Sequence, residues 1–303
     1  MKKFVKDLKI ELRRNGTLYF MVIPVIVYYF MFAYKPLYGA LIAFQDYNPA
    51  RGFGEDWAGF KHFLRFFNSP YLGRLIKNTI AISGLNLLFG FPIPIILALL
   101  MNEVRNKRFK AVSQSLMNLP HFISLVAICG IVKQFCLSDG LFNDLIEMFG
   151  GERIPLLQHA EYYWLIYIGS GIWQEFGWSS VIYLAALSGV DTQLYEAAAI
   201  DGAGRWKQTL HVTLPAITPT IVITLILRIG RLMSLDYEKS LLLYNEAIYE
   251  TADIISTYTY RSGLLNREWS YSTAVGLFNS VVNITLVTVA NKVSKKVTDS
   301  SLW

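Results

Sequence analysis

The chain is poor in charge. Asp, Glu, Lys and Arg make up 17% of its 303 residues, where soluble chains carry about 25%. That excludes an ordinary soluble domain. Cysteine is scarce, with only Cys129 and Cys136. Seven residues apart on one apolar helix, they sit ~10 Å from each other and cannot bridge. The four histidines, His62, His121, His159 and His211, are scattered, so no metal-ligating set is expected. There is no G-x-x-x-x-G-K-[ST] phosphate loop; Gly202-Ala-Gly-Arg-Trp-Lys207 lacks the Gly-Lys pair. The chain is therefore not expected to hydrolyse ATP. H-E-x-x-H and G-x-S-x-G are absent too. No catalytic residue and no enzyme activity are expected.

What is present is apolar. The chain is 53% hydrophobic and 15% aromatic, and the apolar residues gather into runs near twenty long. The fold class is all-α, a polytopic membrane protein with six spans at about 18–41, 78–101, 112–135, 162–187, 214–233 and 272–293. Residues 1–17 form a basic tail and 294–303 a second tail. The first run is too long for a signal-peptide core and no small-residue cleavage site follows it, so it is expected to stay as an anchor.

Charge sets the orientation. With both ends in the cytoplasm, the N-terminal tail, the 102–113 loop, the stretch after the fourth span and the C-terminal tail hold fifteen of the 28 Lys and Arg. The longer loops of the other side hold the acids, among them Asp46, Glu55, Asp56, Asp144, Glu147, Asp236 and Asp253. The positive-inside rule favours that arrangement. The net charge of +6 thus reflects cytoplasmic flanks in a lipid bilayer, with no nucleic-acid partner expected.

The polar island at 188–213 organises the chain. Asp191 reads as an N-cap. The Ala-rich run Leu194 to Ile200 favours helix. Gly202 and Gly204 stop it. Arg205 to Thr213 starts a second short helix, and Pro215, lacking an amide donor, fits the first turn of the next span. Ala197, Ala198, Ala199 and Gly202 make a small-residue face that another protein surface can approach closely.

Glu196-Ala-Ala, three residues, Gly202, nine residues and Val212-Thr-Leu214-Pro215 resembles the EAA loop of permease subunits in binding-protein-dependent ABC importers. The one departure is Val212 in place of Ile. The stretches Phe44-Gln-Asp-Tyr-Asn-Pro and Trp57-Ala-Gly-Phe-Lys-His-Phe resemble the outer loop of maltose-type sugar permeases, in the carbohydrate-uptake branch. The resemblance implies a type I ABC importer fold in the bacterial cytoplasmic membrane. It makes Glu196, Ala197, Ala198, Ala199, Asp201, Gly202, Gly204, Arg205, Leu214 and Pro215 a cytoplasmic coupling helix and its flank. It implies a heterodimer with a second permease subunit and an ATPase subunit dimer that holds ATP and Mg. It further implies an extracytoplasmic solute-binding protein and an oligosaccharide or larger glycan as cargo. No cofactor is expected in this chain. Two alternatives are an ABC importer permease for a non-sugar solute and a stand-alone secondary transporter.

Polar residues inside the spans are the candidate substrate path. A charge at mid-membrane costs ~2.5–3.5 kcal/mol on insertion scales, so it faces a cavity or a partner. Glu175 lies ~18 Å and Arg228 ~20 Å from the same membrane face along their helices. They are expected to pair, as a structural ion pair, or to line the path together. Arg231 shares a helix face with Arg228. With Lys133 they are placed to attract an anionic sugar, or to anchor at the headgroups. Gln174 neighbours Glu175. Trp173, Trp178 and Tyr183 offer ring faces for pyranose stacking, unless they are packing residues. Asn279 and Asn283, one turn apart, offer amide hydrogen bonds to cargo or to a neighbouring helix.

Overall fold

The computed structural model describes residues 2–54, 56–298 and 302, with side chains for 14–54, 56–296 and 302. Glu55 and the basic side chains Lys2 to Arg13 therefore lie outside the described residues. Among the described residues the chain is helical, with two isolated bridges, Gln45 to Trp57 and Asn48 to Gly52.

In chain order the helices are α1 (Arg14–Phe44), α2 (Lys61–Phe67), α3 (Leu72–Glu103), α4 (Lys107–Phe122), α5 (Leu125–Phe135), α6 (Leu141–Met148) and α7 (Ala160–Ser188). They continue with α8 (Thr192–Ile200), α9 (Arg205–Ile229), α10 (Tyr237–Leu243), α11 (Ile255–Tyr260) and α12 (Trp269–Thr298). Helices α1, α3, α9 and α12 are each long and apolar enough to cross a membrane, and α4 with α5 makes a fifth, bent crossing. The 29 residues of α7 are long enough too. Its polar residues and many aromatics lower its apolarity without shortening it. Much apolar surface faces outward, as lipid tails permit; none of the most apolar stretch of α1 is buried within this chain.

Two expected elements differ. The third span is not one straight helix. It bends by 95° between α4 and α5. Pro120 leaves a tight turn at Leu119–Phe122, and Ser124 caps the new helix by accepting a bond from the Ala127 amide at 3.3 Å. The second short helix and the fifth span, by contrast, are one continuous helix, α9. Pro215 lies inside it. A wide π-turn at Thr209–Thr213 precedes the proline and absorbs its missing donor. The same helix ends at Ile229, short of the expected 233.

The bent span packs on α7 through Gly177. A methyl there would lie 2.1 Å from the Met117 carbonyl oxygen. Gly177→Val is expected to separate α4 from α7 and destabilise the protein by about 1–3 kcal/mol, the range for overpacking. Thermal unfolding of the purified protein measures it.

Side chains sort the loops into two ends. At one end, Arg65 pairs with Glu268 at 2.7 Å, Trp164 donates to the Thr251 carbonyl at 2.8 Å, and Asn245 donates to the Leu157 carbonyl at 2.9 Å. At the other, Arg205 lies 3.8 Å from Glu103. The buried face of α3, Leu75, Asn78, Thr79, Ile82 and Ser83, repeats at three and four residues and stitches α3 to the segments after α9.

Candidate functional site: a charged cavity and an exposed elbow

The elbow comes first in sequence logic. Asp191 caps α8, its carboxylate accepting from the Gln193 amide at 2.9 Å. The helix closes where the Gly202 amide donates to Ala199 and the Ala203 amide to Ala198. Gly202 has φ +75°, a conformation glycine adopts without strain. Gly204 stays extended and caps α9. The Tyr195 hydroxyl bonds Thr213 at 3.0 Å, which ties α8 to the base of α9. Glu196, Ala197, Ala199, Asp201, Gly202, Gly204 and Arg205 are exposed and Ala198 is half-buried. Leu214 is half-buried and Pro215 exposed on α9. Ile200 and Trp206 are 87% and 74% exposed, which makes the elbow an apolar surface among polar groups.

Toward the opposite end lies a cavity of ≈ 360 Å³ between α3, α7, α9 and α10. Gln174, Glu175, Arg228 and Arg231 line it, as do Asp236 and Lys239. A second hollow of ≈ 420 Å³ shares Pro94, Ser179, Arg228 and Arg231 with it, and adds Trp178 and Tyr183. The two therefore form one path along α7 and α9.

The ion pair at mid-span is not the expected one. Glu175 meets His121 of the α4–α5 bend, at 3.1 Å, rather than Arg228. The bend carries His121 across to α7, where its ring also stacks on Trp178 at 4.5 Å. Arg228 instead sits at the C-terminal end of α9, where the helix dipole favours a cation, 6.0 Å from the Phe91 ring centre. Glu175 and Arg228 still face the same cavity. A double-mutant cycle of His121→Ala with Glu175→Gln is expected to show coupling of about 0.5–1 kcal/mol in thermal unfolding, because both side chains are partly exposed.

Three other residues take the second of the two roles open to them, packing or bonding a neighbouring segment. Trp173 faces an apolar hollow between α5, α6 and α7, away from the charged cavity. Asn279 and Asn283 bond the segment after α9, the alternative to cargo contact. Asn279 donates to the Met233 carbonyl at 3.0 Å. Asn283 accepts from the Met233 amide at 3.0 Å and donates to Ser234 at 2.8 Å. The reason is the early end of α9. Residues 230–236 are unwound, and backbone groups away from water need partners. Ser83 donates to the Leu232 carbonyl, Ser256 to that of Leu235 and Tyr167 to that of Asp236. The clasp holds Arg231 and Asp236 at the cavity. Tyr183 is buried and bonds Thr224 at 3.0 Å, so its ring faces the second hollow with its hydroxyl engaged. Lys133 is exposed near the end of α5.

Lys239 is the residue that sequence reasoning missed. It sits on α10, in a loop between spans, and reads as a solvated charge. The signal was the apolar flank Leu241-Leu242-Leu243, which marks α10 as a packed helix. Burial pushes the Lys239 ammonium down to about 8.

Residues 90–299 match the family described as "Binding-protein-dependent transport system inner membrane component". The chain belongs to this family. It is a multi-pass inner membrane component, a permease subunit rather than an enzyme. It is 46% identical over 300 residues to the polygalacturonan/rhamnogalacturonan transport system permease protein YteP of Bacillus subtilis (strain 168), covering 98% of this chain and 94% of that protein. It is 44% identical to protein LplB of the same organism, covering 96% and 92%. It is also similar to a subunit in the crystal structure of a bacterial ABC transporter involved in the import of the acidic polysaccharide alginate. That match has a TM-score of 0.88 and 42% identity over 96% of this chain and 99% of that one. A further crystal structure of a bacterial alginate ABC transporter holds an alginate pentasaccharide-bound periplasmic protein. There the TM-score is 0.88 and the identity 42%, over 96% of this chain and 98% of that one.

Proposed function

We propose that this inner membrane component forms half of the path of an ATP-driven importer for an acidic oligosaccharide or glycan. The observation that carries the reading is the cavity itself, where Arg228, Arg231 and Lys239 face Glu175 and Asp236. The cations outnumber the acids. Both acids already have partners, since His121 engages Glu175 and the Glu238 amide engages Asp236 at 3.0 Å. The aromatic lining of the adjoining hollow, Phe91, Trp178 and Tyr183, suits the apolar faces of sugar rings. The cargo named for the similar proteins, polygalacturonan and alginate, is acidic and supports the same class.

In this reading both termini and α8 are cytoplasmic. A second permease subunit closes the open side of the path. A solute-binding protein delivers cargo to the opposite end. An ATPase subunit dimer, which holds ATP and Mg, grips the elbow from Glu196 to Gly204. Ile200 and Trp206, exposed beside the small face, supply the apolar contact such a grip needs. The continuity of α9 matters here. Because Arg205, just past the elbow, and the fifth span share one helix, a push on Arg205 reaches Arg228 without crossing a flexible joint.

The test is reconstitution of the whole importer in liposomes with its binding protein. Oligogalacturonate or oligoalginate is expected to stimulate ATP hydrolysis and to accumulate inside, and a neutral trisaccharide is not. Accumulation of the neutral sugar alone sinks the acidic reading.

A further inference from the structure

Lys239 is 6% exposed. A buried ammonium normally has a carboxylate beside it, since desolvation is expensive. This one has none within 4.0 Å among the described residues. Its Nζ donates to the Tyr167 carbonyl at 2.8 Å and lies 4.6 Å from the Tyr167 ring centre, a cation–π contact. An ammonium has three donors, and among the described residues one protein acceptor, the Tyr167 carbonyl, takes one of them. Gly171, one turn further along α7, leaves room for it: a methyl there would lie 2.9 Å from Nζ. Gly171 and Lys239 both line the charged cavity. The two acids of that cavity are engaged elsewhere, as described above. The site is thus a cation fixed in place by one carbonyl and one ring, with donor capacity left on the side of the path.

We propose that Lys239 is a specificity-determining residue of the path, binding the carboxylate of a uronate unit as the glycan passes. The assignment rests on the acidic-glycan reading of the same cavity. Tyr167 positions the ammonium. Arg228 and Arg231, which line the same cavity, hold the neighbouring carboxylate. A weak, multi-point grip of this kind suits a path that must release what it binds.

The experiment uses the complete importer in liposomes with its binding protein and trigalacturonate as the probe. Wild type, Lys239→Met, Lys239→Arg and Gly171→Ala are compared at equal amounts of assembled complex. Losing a hydrogen bond to a charged group is worth about tenfold or more. Lys239→Met is therefore expected to lower uptake at least ~10-fold, and Lys239→Arg, which keeps the charge, to stay within ~3-fold of wild type. Gly171→Ala, which displaces the ammonium, is expected to fall between them. Wild-type uptake by Lys239→Met overturns the proposal, and so does an equal loss in the Met and Arg variants, which marks a packing role. A wild-type importer that moves neither trigalacturonate nor oligoalginate overturns the parent reading and this assignment together.

Discussion

Gly202→Asp is expected to abolish uptake and cargo-stimulated ATP hydrolysis, each by more than about tenfold, while the importer still assembles. The fold tolerates the change. Gly202 has φ +75° with nothing within 4 Å of where a Cβ would stand. Aspartate is among the residues that enter this backbone region with least penalty, and strain there is about 1–3 kcal/mol. The surface does not tolerate it. The carboxylate would stand at the exposed C-terminal end of α8, where the helix dipole is already negative. It would join Glu196 and Asp201, both exposed, on the face proposed to meet the ATPase. Gly204→Ala is the control. Gly204 is extended at φ −68°, so alanine fits the backbone and adds no charge, and its effect on transport is expected to be far smaller than that of Gly202→Asp. Transport surviving Gly202→Asp removes the coupling role from this elbow.

The two glycines show what a sequence carries and what it withholds. Both read as helix stops. Only one needs a left-handed backbone, and spacing alone does not say which. The cap at Asp191 and the helix to Ile200 were legible because they depend on neighbours in sequence. The union of the second short helix with the fifth span was not. Pro215 is a strong local signal for a helix start, and a π-turn that absorbs its missing donor leaves no mark in composition. The 95° bend of the third span had its signs, Pro120 and Ser124, but both sit in a run whose apolarity argues for a straight crossing. That bend decides the partner of Glu175. Depth along straight helices put Arg228 beside it, and a bent one delivered His121. Asn279 and Asn283 were found as polar residues in a span, yet their role depends on an unwound segment dozens of residues away. Of the two roles open to them, cargo contact or a bond to a neighbour, the structure shows the second.

The loops at the end away from the elbow, too, are held by something distant in sequence, and Asp253→Ala is expected to lose it. Asp253 is fully buried. Its carboxylate accepts from Arg74 of α3 at 2.9 Å, from Arg261 just past α11 at 2.8 Å and from the Thr257 hydroxyl at 2.9 Å. Asn78 of α3 donates to the Asp253 and Glu250 carbonyls at 3.0 and 2.9 Å. Three segments therefore converge on one acid. Removing it strands two guanidinium groups that face each other without a counter-charge, and breaking a buried pair costs about 3–5 kcal/mol. Arg74 and Arg261 keep 31% and 23% side-chain exposure, so water offsets part of that and about 3 kcal/mol is the expected loss. For a chain of this size that is a fall of roughly 6–12 °C in the unfolding midpoint. The same logic predicts a rescue. Replacing both arginines by methionine in the Asp253→Ala background removes the stranded charges, and apolar packing in place of a buried ionic cluster is often neutral or better. The triple variant should regain most of the lost stability, read by thermal unfolding of the purified protein. If the triple variant is as unstable as the single one, the cluster works through the Thr257 hydrogen bond to the carboxylate rather than through its charge.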